Sequence, residues 1–259
     1  MRFGVCAAPE QHALLAEIGF DYIEMGVSPH LQPERPAERV MPPLQAAFAG
    51  PGPRPEAFNL LLPGDLKVVG SEADPDRQGE YLESALARAG ALGGQVVVFG
   101  SGGARHVPAG WPREEAGRQV LEFLQLAGDA AARHGLGVAI EALNRAESNH
   151  INSVAEASAV AREVAHPAVG VLSDLYHIMH DGQSYAETRA ALPGLSHVHV
   201  AGLGRRAPSA RDLALLRGFF AVLRAGDYSG RISIEAIWDD LAGQGTEALE
   251  VLHQAWAGA

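Results

Sequence analysis

The chain alternates eight times between a short apolar run and a longer stretch of helical character. The runs are RFGVCA (2–7), YIEMGV (22–27), AFNLLLP (57–63), QVVVFGSG (95–102), GVAIEAL (137–143), VGVLSDLYH (169–177), LSHVHVAG (195–202) and RISIEAIW (231–238). Their centres are nearly continuous in apolar residues, which is typical of parallel strands covered on both faces. Eight strand-helix units in one chain predict an α/β fold, a closed (β/α)8 barrel of the TIM type.

The length of 259 residues matches one such barrel, and no linker or low-complexity tract divides the chain. We therefore expect a single TIM-barrel domain over residues 1–259. The alternative is a doubly wound open sheet. That fold usually has fewer units and a Gly-rich dinucleotide turn after its first strand, whereas this chain has GVCAAPEQ there.

The composition narrows the function classes. No apolar run approaches the ~20 residues of a membrane-spanning helix, and the first residues lack the apolar core of a signal peptide. The single cysteine, Cys6, excludes an internal disulfide and a Cys-rich metal site and fits a reducing compartment, so a cytoplasmic protein is expected. A net charge of −11 argues against a nucleic-acid surface. We expect a small-molecule partner, no nucleic acid and no membrane.

Polar side chains end the last four predicted strands. In this fold the carboxyl ends of the strands build the active site. Glu141, Asp174, His199 and Glu235 occupy that position in the fifth to eighth strands. Two Glu, one Asp and one His describe a site for one divalent ion, Mn²⁺, Mg²⁺ or Co²⁺, more naturally than a Cys-rich structural zinc site.

Each of these residues also has an ordinary explanation. An isolated strand-end Glu is more often a loop or ion-pair residue than a ligand, and a His inside an apolar run is usually a hydrogen-bonded core residue. The coincidence of all four favours the metal, because together they would bury about −3 of charge at several kcal/mol each if uncompensated. A dication offsets that cost.

Three motifs in order, EALNRAESN, DLYH and HVHVAGLGRR, resemble the sugar phosphate isomerase/epimerase family of xylose isomerase-like TIM barrels, which includes the D-tagatose 3-epimerase type. The first is similar to the family's Glu-Pro-Leu-Asn-Arg-x-Glu-Thr-Asn motif, and the likeness covers essentially the whole chain. The resemblance implies metal ligation, with Mn²⁺ ahead of Mg²⁺, Co²⁺ and Zn²⁺, by Glu141, Asp174, His199 and Glu235. It also implies substrate contacts by Glu147, His177 and Arg205. The chain departs at Leu203, where these epimerases often have a Glu, which concerns the substrate pocket and not the ligands.

The expected activity is a metal-dependent sugar or sugar phosphate isomerase/epimerase, of the ketose 3-epimerase or aldose-ketose isomerase type. It would abstract an α-proton through a metal-bound enediolate, with Glu141 and Glu235 as base and acid. A dehydratase or isomerase of a keto-inositol or polyol would use the same site. A DNA-repair endonuclease of the AP type would need extra His ligands after strands three and four. Barrels of this kind are often homo-oligomers.

Other polar features keep two interpretations. Glu24 and Asn59 either face the pocket or are ordinary strand-end residues. His177 could bond a substrate hydroxyl or carbonyl, with a solvent-facing loop residue as the weaker alternative, and Arg205 could pair with Glu147, bind an anion or be free. The segment FGSGGAR (99–105) could expose N–H groups to a phosphate, but a Gly-rich exit from a strand is common and this one lacks the Walker spacing.

Overall fold

Eight parallel strands close into a barrel in sequence order in the computed structural model, which describes residues 1–259. They are β1 (Arg2–Cys6), β2 (Tyr22–Gly26), β3 (Arg54–Asn59), β4 (Val96–Phe99), β5 (Gly137–Glu141), β6 (Val169–Asp174), β7 (Leu195–Val200) and β8 (Arg231–Ile234). The β1 strand pairs with both β2 and β8, which completes the ring. The predicted (β/α)8 fold is confirmed.

Each strand is shorter than the apolar run that predicted it, and two of these differences concern residues of the site. The third strand covers Arg54–Asn59 and not residues 57–63, because the chain leaves the sheet at Leu60, whose φ of 47° is incompatible with a strand. Asn59 therefore ends β3 instead of lying inside it. The eighth strand ends at Ile234, so Glu235 is the first residue after β8. Its backbone N–H still donates to Val200 O at 2.9 Å, which continues the β7–β8 pairing and fixes the direction of Glu235.

Helices cover the outside of the barrel. Their bounds are α1 (His12–Ile18), α2 (Ala37–Ala47), α3 (Pro75–Ala91), α4 (Gly102–Arg105), α5 (Arg113–Arg133), α6 (Val154–Val164), α7 (Leu175–His180), α8 (Ala186–Ala191), α9 (Leu213–Ala225) and α10 (Leu241–Ala257). Asp74 caps α3 and accepts from the backbone N–H of Arg77 at 3.0 Å. No helix is long and apolar enough to cross a membrane.

The barrel interior is filled by alternate residues of the strands. A cluster of six buried side chains packs there, formed by Tyr22, Ala57, Val96, Val98, Ala139 and Leu172. A Cβ on Gly4 would lie 2.4 Å from the Tyr22 ring, so only glycine at this position of β1 leaves room for the ring. The larger core of 59 buried residues lies mainly between the strands and the helices. The polar residues at the carboxyl ends of the strands therefore line one end of the barrel.

Candidate active site

Four predicted residues meet at the carboxyl ends of the strands. Glu141, Asp174, His199 and Glu235 each offer a donor atom, and these four atoms all lie within 4.8 Å of one another. Glu141 and Asp174 end β5 and β6, His199 is the penultimate residue of β7, and Glu235 follows β8. Neighbouring parallel strands end at the same edge of the barrel, which is why residues 94 positions apart converge.

The Glu141 carboxylate occupies space that a glycine in the loop after β4 leaves free. Oε1 of Glu141 lies 3.3 Å from Nδ1 of His199, and Glu141 is 5% exposed. A Cβ built on Gly100 would lie 2.2 Å from Oε2 of Glu141. The Gly-rich segment after β4 therefore provides the space that this carboxylate occupies, a use that the sequence did not indicate.

Asp174 has one buried oxygen without a hydrogen-bond partner. Its Oδ1 accepts from the N–H of Tyr176 at 2.6 Å, while Oδ2 is buried and makes no hydrogen bond. His177 lies beside it, with Nε2 at 3.6 Å from that oxygen. The N–H and side-chain amide of Asn144 both donate to Nδ1 of His177, at 3.1 and 2.8 Å. Because Nδ1 is an acceptor, the proton of a neutral His177 is on Nε2, which faces the four-donor cluster.

The Glu235 carboxylate accepts hydrogen bonds from Arg205 and Asn59. Nη2 of Arg205 donates to its Oε2 at 2.6 Å, and the amide of Asn59 donates to its Oε1 at 3.2 Å. Oε2 lies 3.7 Å from Nδ1 of His199. Glu141 and Glu235 thus both lie close to the same imidazole nitrogen.

Arg205 joins the predicted substrate residues to the metal-ligand candidates. Its Nη1 donates to Oε1 of Glu147 at 3.1 Å, and its guanidinium lies over the Tyr176 ring at 4.8 Å. Its φ is 61°, in the left-handed region that is unfavourable for a non-glycine residue and tends to occur at functional sites. The carbonyl of Arg205 accepts from the N–H of Ile237 at 2.7 Å, which helps to hold the loop in this conformation. The Arg205–Glu147 pair considered from the sequence is present.

The far side of His199 contacts a second buried carboxylate, that of Glu24. Nε2 of His199 lies 2.9 Å from Oε1 of Glu24, and Nε2 of His197 lies 2.8 Å from its Oε2. Ser233 donates to the same Oε2 at 2.5 Å. Its own oxygen can then accept from the Tyr22 hydroxyl at 2.7 Å. Glu24 is fully buried in the middle of β2, so it is not the strand-end residue that one of its two sequence interpretations made it.

Burial and charge shift the acidities of these groups in opposite directions. Burial, with the charge of Glu141 added, raises the pKa of Asp174 and of Glu235. Burial also opposes ionisation of Glu141, but the hydrogen bond and charge of His199 outweigh it and lower its pKa. Burial disfavours the imidazolium of His199, yet Glu24 and Glu235 raise its pKa well above the ordinary value. These shifts have one cause, the crowding of several carboxyl groups around one imidazole in a buried site.

Arg105 is fully buried and binds the backbone of the strands next to the site. It donates to the carbonyl oxygens of Glu141 at 2.7 Å and Phe99 at 3.1 Å, which come from adjacent strands. It also donates to the carbonyl oxygen of Ile151 at 3.4 Å. Ile151 has a φ of 59°, rare for a β-branched residue, so the arginine holds a strained loop against β5.

Several residues of the site were not identified from the sequence. They are Gly100, Arg105, Asn144, His197 and Ser233. The alternation of strand faces could have indicated His197, because residues two apart on one strand point the same way and His199 was already a candidate. Gly100 and Arg105 lie in the segment FGSGGAR that was considered for phosphate binding, but nothing in that segment indicates a contact with Glu141 on the next strand.

The cluster suits a divalent cation on three observations. Oδ2 of Asp174 is buried and unpartnered, which is costly unless a cation or donor occupies the space beside it. Gly100 leaves room for the Glu141 carboxylate to point at the other donors. Three carboxylates with one imidazole are the ligand types of Mn²⁺, Mg²⁺ or Co²⁺ sites.

The fold and this polar strand-end cluster define a class, the TIM-barrel proteins with their active site at the carboxyl ends of the strands. A family model described as xylose isomerase-like TIM barrel matches residues 13–255. The chain belongs to that family.

Curated relatives of the chain are named as epimerases and isomerases. L-ribulose 3-epimerase of Methylomonas sp. (strain DH-1) is 27% identical over 237 residues, covering 87% of this chain and 77% of the relative. A putative hydroxypyruvate isomerase of Streptomyces coelicolor is 28% identical over 241 residues, covering 87% and 84%. The crystal structure of 3-keto-D-glucoside 4-epimerase from E. coli superimposes with a TM-score of 0.82 at 22% identity, covering 98% of this chain and 99% of that one.

Proposed function

We propose that the protein is a divalent-metal-dependent isomerase or epimerase that moves a proton next to the carbonyl of a sugar or sugar phosphate. One observation carries the proposal: the carboxylates of Glu141 and Glu235 both lie beside Nδ1 of His199, at 3.3 and 3.7 Å, in a cluster of four donors within 4.8 Å of one another. Two carboxylates beside one metal position are what abstraction and return of a proton on a sugar carbon require.

The residues that would hold the ion are Glu141, Asp174, His199 and Glu235. When bound, a dication supplies an electrophile that polarises the substrate carbonyl and makes the neighbouring C–H acidic. Mn²⁺ is the ion we propose, with Mg²⁺ and Co²⁺ as alternatives, because oxygen donors dominate the set. The counter-charge also relieves the burial of three carboxylates.

Glu141 and Glu235 would move the proton. A carboxylate on one face of the substrate carbon removes the α-proton and leaves an enediolate, and a carboxylic acid on the other face returns a proton. Return to the opposite face of the same carbon gives epimerisation. Return to the neighbouring carbon gives aldose-ketose isomerisation. The outcome depends on a substrate position fixed to about an ångström.

His177, Arg205 and Glu147 would orient the substrate. Nε2 of His177 is buried, makes no hydrogen bond within the protein and faces the cluster, so it is suited to donate to a hydroxyl or carbonyl oxygen. Arg205 presents Nη1 and Nη2 between Glu147 and Glu235 at the edge of the site. Its position suits a hydroxyl, a phosphate or a carboxylate of the substrate.

The relatives support this class and leave the reacting carbon open, since their names include a 3-epimerase, a 4-epimerase and an isomerase. A dehydratase or isomerase of a keto-inositol or polyol would use the same four donors. An AP-type endonuclease is disfavoured, because β3 and β4 are followed by Leu60 and Gly100 where extra His ligands would be required.

Solvent exchange tests the reaction class. The protein is incubated with Mn²⁺ in D₂O with free and phosphorylated ketoses, and deuterium is located by NMR. Deuterium at C3, which is next to the ketose carbonyl, indicates epimerisation at that carbon, and deuterium at C1 or C2 indicates isomerisation. Absence of exchange with every sugar, in protein shown to hold the metal, would refute the sugar proposal and redirect the search to inositols and keto acids.

Metal analysis tests the site itself. Protein purified without chelator should contain about one divalent ion per chain, and Glu235→Gln should contain less. The Glu147→Gln variant is the matched control, because its side chain lies in the loop and is not one of the four donors. Equal metal contents in the wild type and Glu235→Gln would contradict the assignment.

A further inference from the structure

Glu24 is fully buried in the middle of β2 and has no place in the proton transfer described above. Both of its oxygens are used within the protein. Oε1 contacts Nε2 of His199 at 2.9 Å, and Oε2 contacts Nε2 of His197 at 2.8 Å and Ser233 Oγ at 2.5 Å. A buried carboxylate shared by two histidines and a hydroxyl requires a reason, because leaving it ionised there is costly without such partners.

We infer that Glu24 is a positioning residue for the metal site: it accepts a hydrogen bond from the Nε2–H of His199, which keeps the proton on Nε2 and leaves Nδ1 as the ligand atom. This inference rests on the proposed metal-dependent function. Nδ1 is the nitrogen near the other donors, at 3.3 Å from Oε1 of Glu141 and 3.7 Å from Oε2 of Glu235. A carboxylate that fixes the tautomer of a metal-binding histidine also fixes its ring plane and raises its basicity.

The network around Glu24 explains why this carboxylate keeps its position. Ser233 lies on β8, and its hydroxyl donates to Glu24 while it accepts from Tyr22, which lies two residues before Glu24 on β2. His197 donates from β7, the strand that also carries His199. Donors from two strands therefore hold Glu24 against the side of His199 that points away from the cluster.

Glu24 is better placed for this role than for metal ligation. Glu24 and His199 also form a group of possible ligands with Cys6. The only atom of His199 that faces Glu24 is Nε2, and a metal there would have to displace the His199–Glu24 hydrogen bond. A second ion at this group is therefore an alternative that the experiment has to detect.

The experiment compares Mn²⁺ binding by the metal-free full-length wild type with Glu24→Gln, by calorimetric titration. Gln keeps the side-chain shape, but it removes the charge and offers an amide N–H₂ to one of the two histidines. We expect Glu24→Gln to bind Mn²⁺ roughly 10- to 100-fold more weakly at unchanged stoichiometry. The matched control is Glu56→Gln on β3, the same substitution at a carboxylate that contacts Arg2 and Arg231 and not His199, and it should leave the Mn²⁺ affinity unchanged.

A second measurement needs no Glu24 variant. In wild-type protein labelled with ¹⁵N-histidine and loaded with diamagnetic Cd²⁺, the His199 signals are identified by their loss in His199→Gln. They should show a proton on Nε2 and none on Nδ1. A proton on Nδ1, equal Mn²⁺ affinity in Glu24→Gln, or a second bound ion lost in that variant would each overturn the inference. If the wild type itself binds no metal, the proposed function fails, which is a different result.

Discussion

Replacing Gly100 with alanine tests the position of Glu141 with one methyl group. The added Cβ would lie 2.2 Å from Oε2 of Glu141 and 3.4 Å from its Cδ. An ordinary contact needs a little over 3 Å, so the carboxylate has to move by roughly 1 Å. Its next neighbour, Leu143 Cδ2 at 3.8 Å, would be in normal contact. The clash is therefore confined to the end of one side chain, that of Glu141.

The expected cost is mainly functional. A displacement of about 1 Å at a reacting group can lower the rate by about 100-fold, which corresponds to about 2.7 kcal/mol of transition-state stabilisation. Gly100 does not have a positive φ, so alanine fits its backbone. Stability should change by less than about 1 kcal/mol, with a small gain because alanine reduces the freedom of the unfolded chain.

The assay measures kcat/KM on the sugar found by solvent exchange, Mn²⁺ affinity and the urea midpoint, for the wild type and Gly100→Ala. Gly103→Ala is the matched control in the same segment, since its Cβ would meet nothing nearer than Gly64 Cα at 3.9 Å. The control should keep wild-type kcat/KM. Wild-type kcat/KM and Mn²⁺ affinity in Gly100→Ala would refute the position assigned to Glu141. Loss of folding in Gly100→Ala would contradict the claim that the clash is local.

Three further changes test other parts of the site. Glu235→Gln should lower kcat by about 10²- to 10⁴-fold, as expected for loss of a general acid or base, measured as deuterium exchange under saturating Mn²⁺; exchange at the wild-type rate would exclude that role. Arg205→Ala should raise KM by at least about tenfold, because the substrate loses a charged donor. Mn²⁺ should bind equally or more tightly in this variant, because a cation 2.6 Å from Glu235 is removed. Weaker Mn²⁺ binding in Arg205→Ala would contradict the assignment of Glu235 as a metal ligand. Arg105→Met should lower the free energy of unfolding by about 3 kcal/mol in urea titration, because buried carbonyl oxygens of β4 and β5 lose their donor; an unchanged midpoint would show that these bonds contribute little.

The metal assignments of Glu141, Asp174, His199 and Glu235 came from the sequence, and the structure brings these residues together. The roles themselves stay predictions, as do those of Glu147, His177 and Arg205 in substrate binding. The convergence was predictable because a parallel barrel places all carboxyl ends of its strands at one edge. The alternation of apolar runs with helical stretches, together with the residues that start and end the helices, was sufficient to count eight strand-helix units and to predict a closed barrel.

Strand boundaries were less predictable. The apolar residues Leu60, Leu61 and Leu62 extend the third run in the sequence, but Leu60 turns out of the sheet with a positive φ and is 56% exposed. Apolar character alone does not tell a strand from a buried loop that follows it. The position of Asn59 beside Glu235 depends on where that turn occurs.

The sequence by itself determined the fold, the end of the barrel that carries the site and the residue types that meet there, because each of these follows from local periodicity and from the rule that parallel strands end together. The tertiary structure decided which nitrogen of His199 faces the cluster, which loop residue leaves space for the Glu141 carboxylate and which donors bind the carboxylate of Glu24. Those contacts join residues up to 209 positions apart, as between Ser233 and Glu24. They depend on the register of strands around a closed ring, and no short stretch of sequence encodes that register.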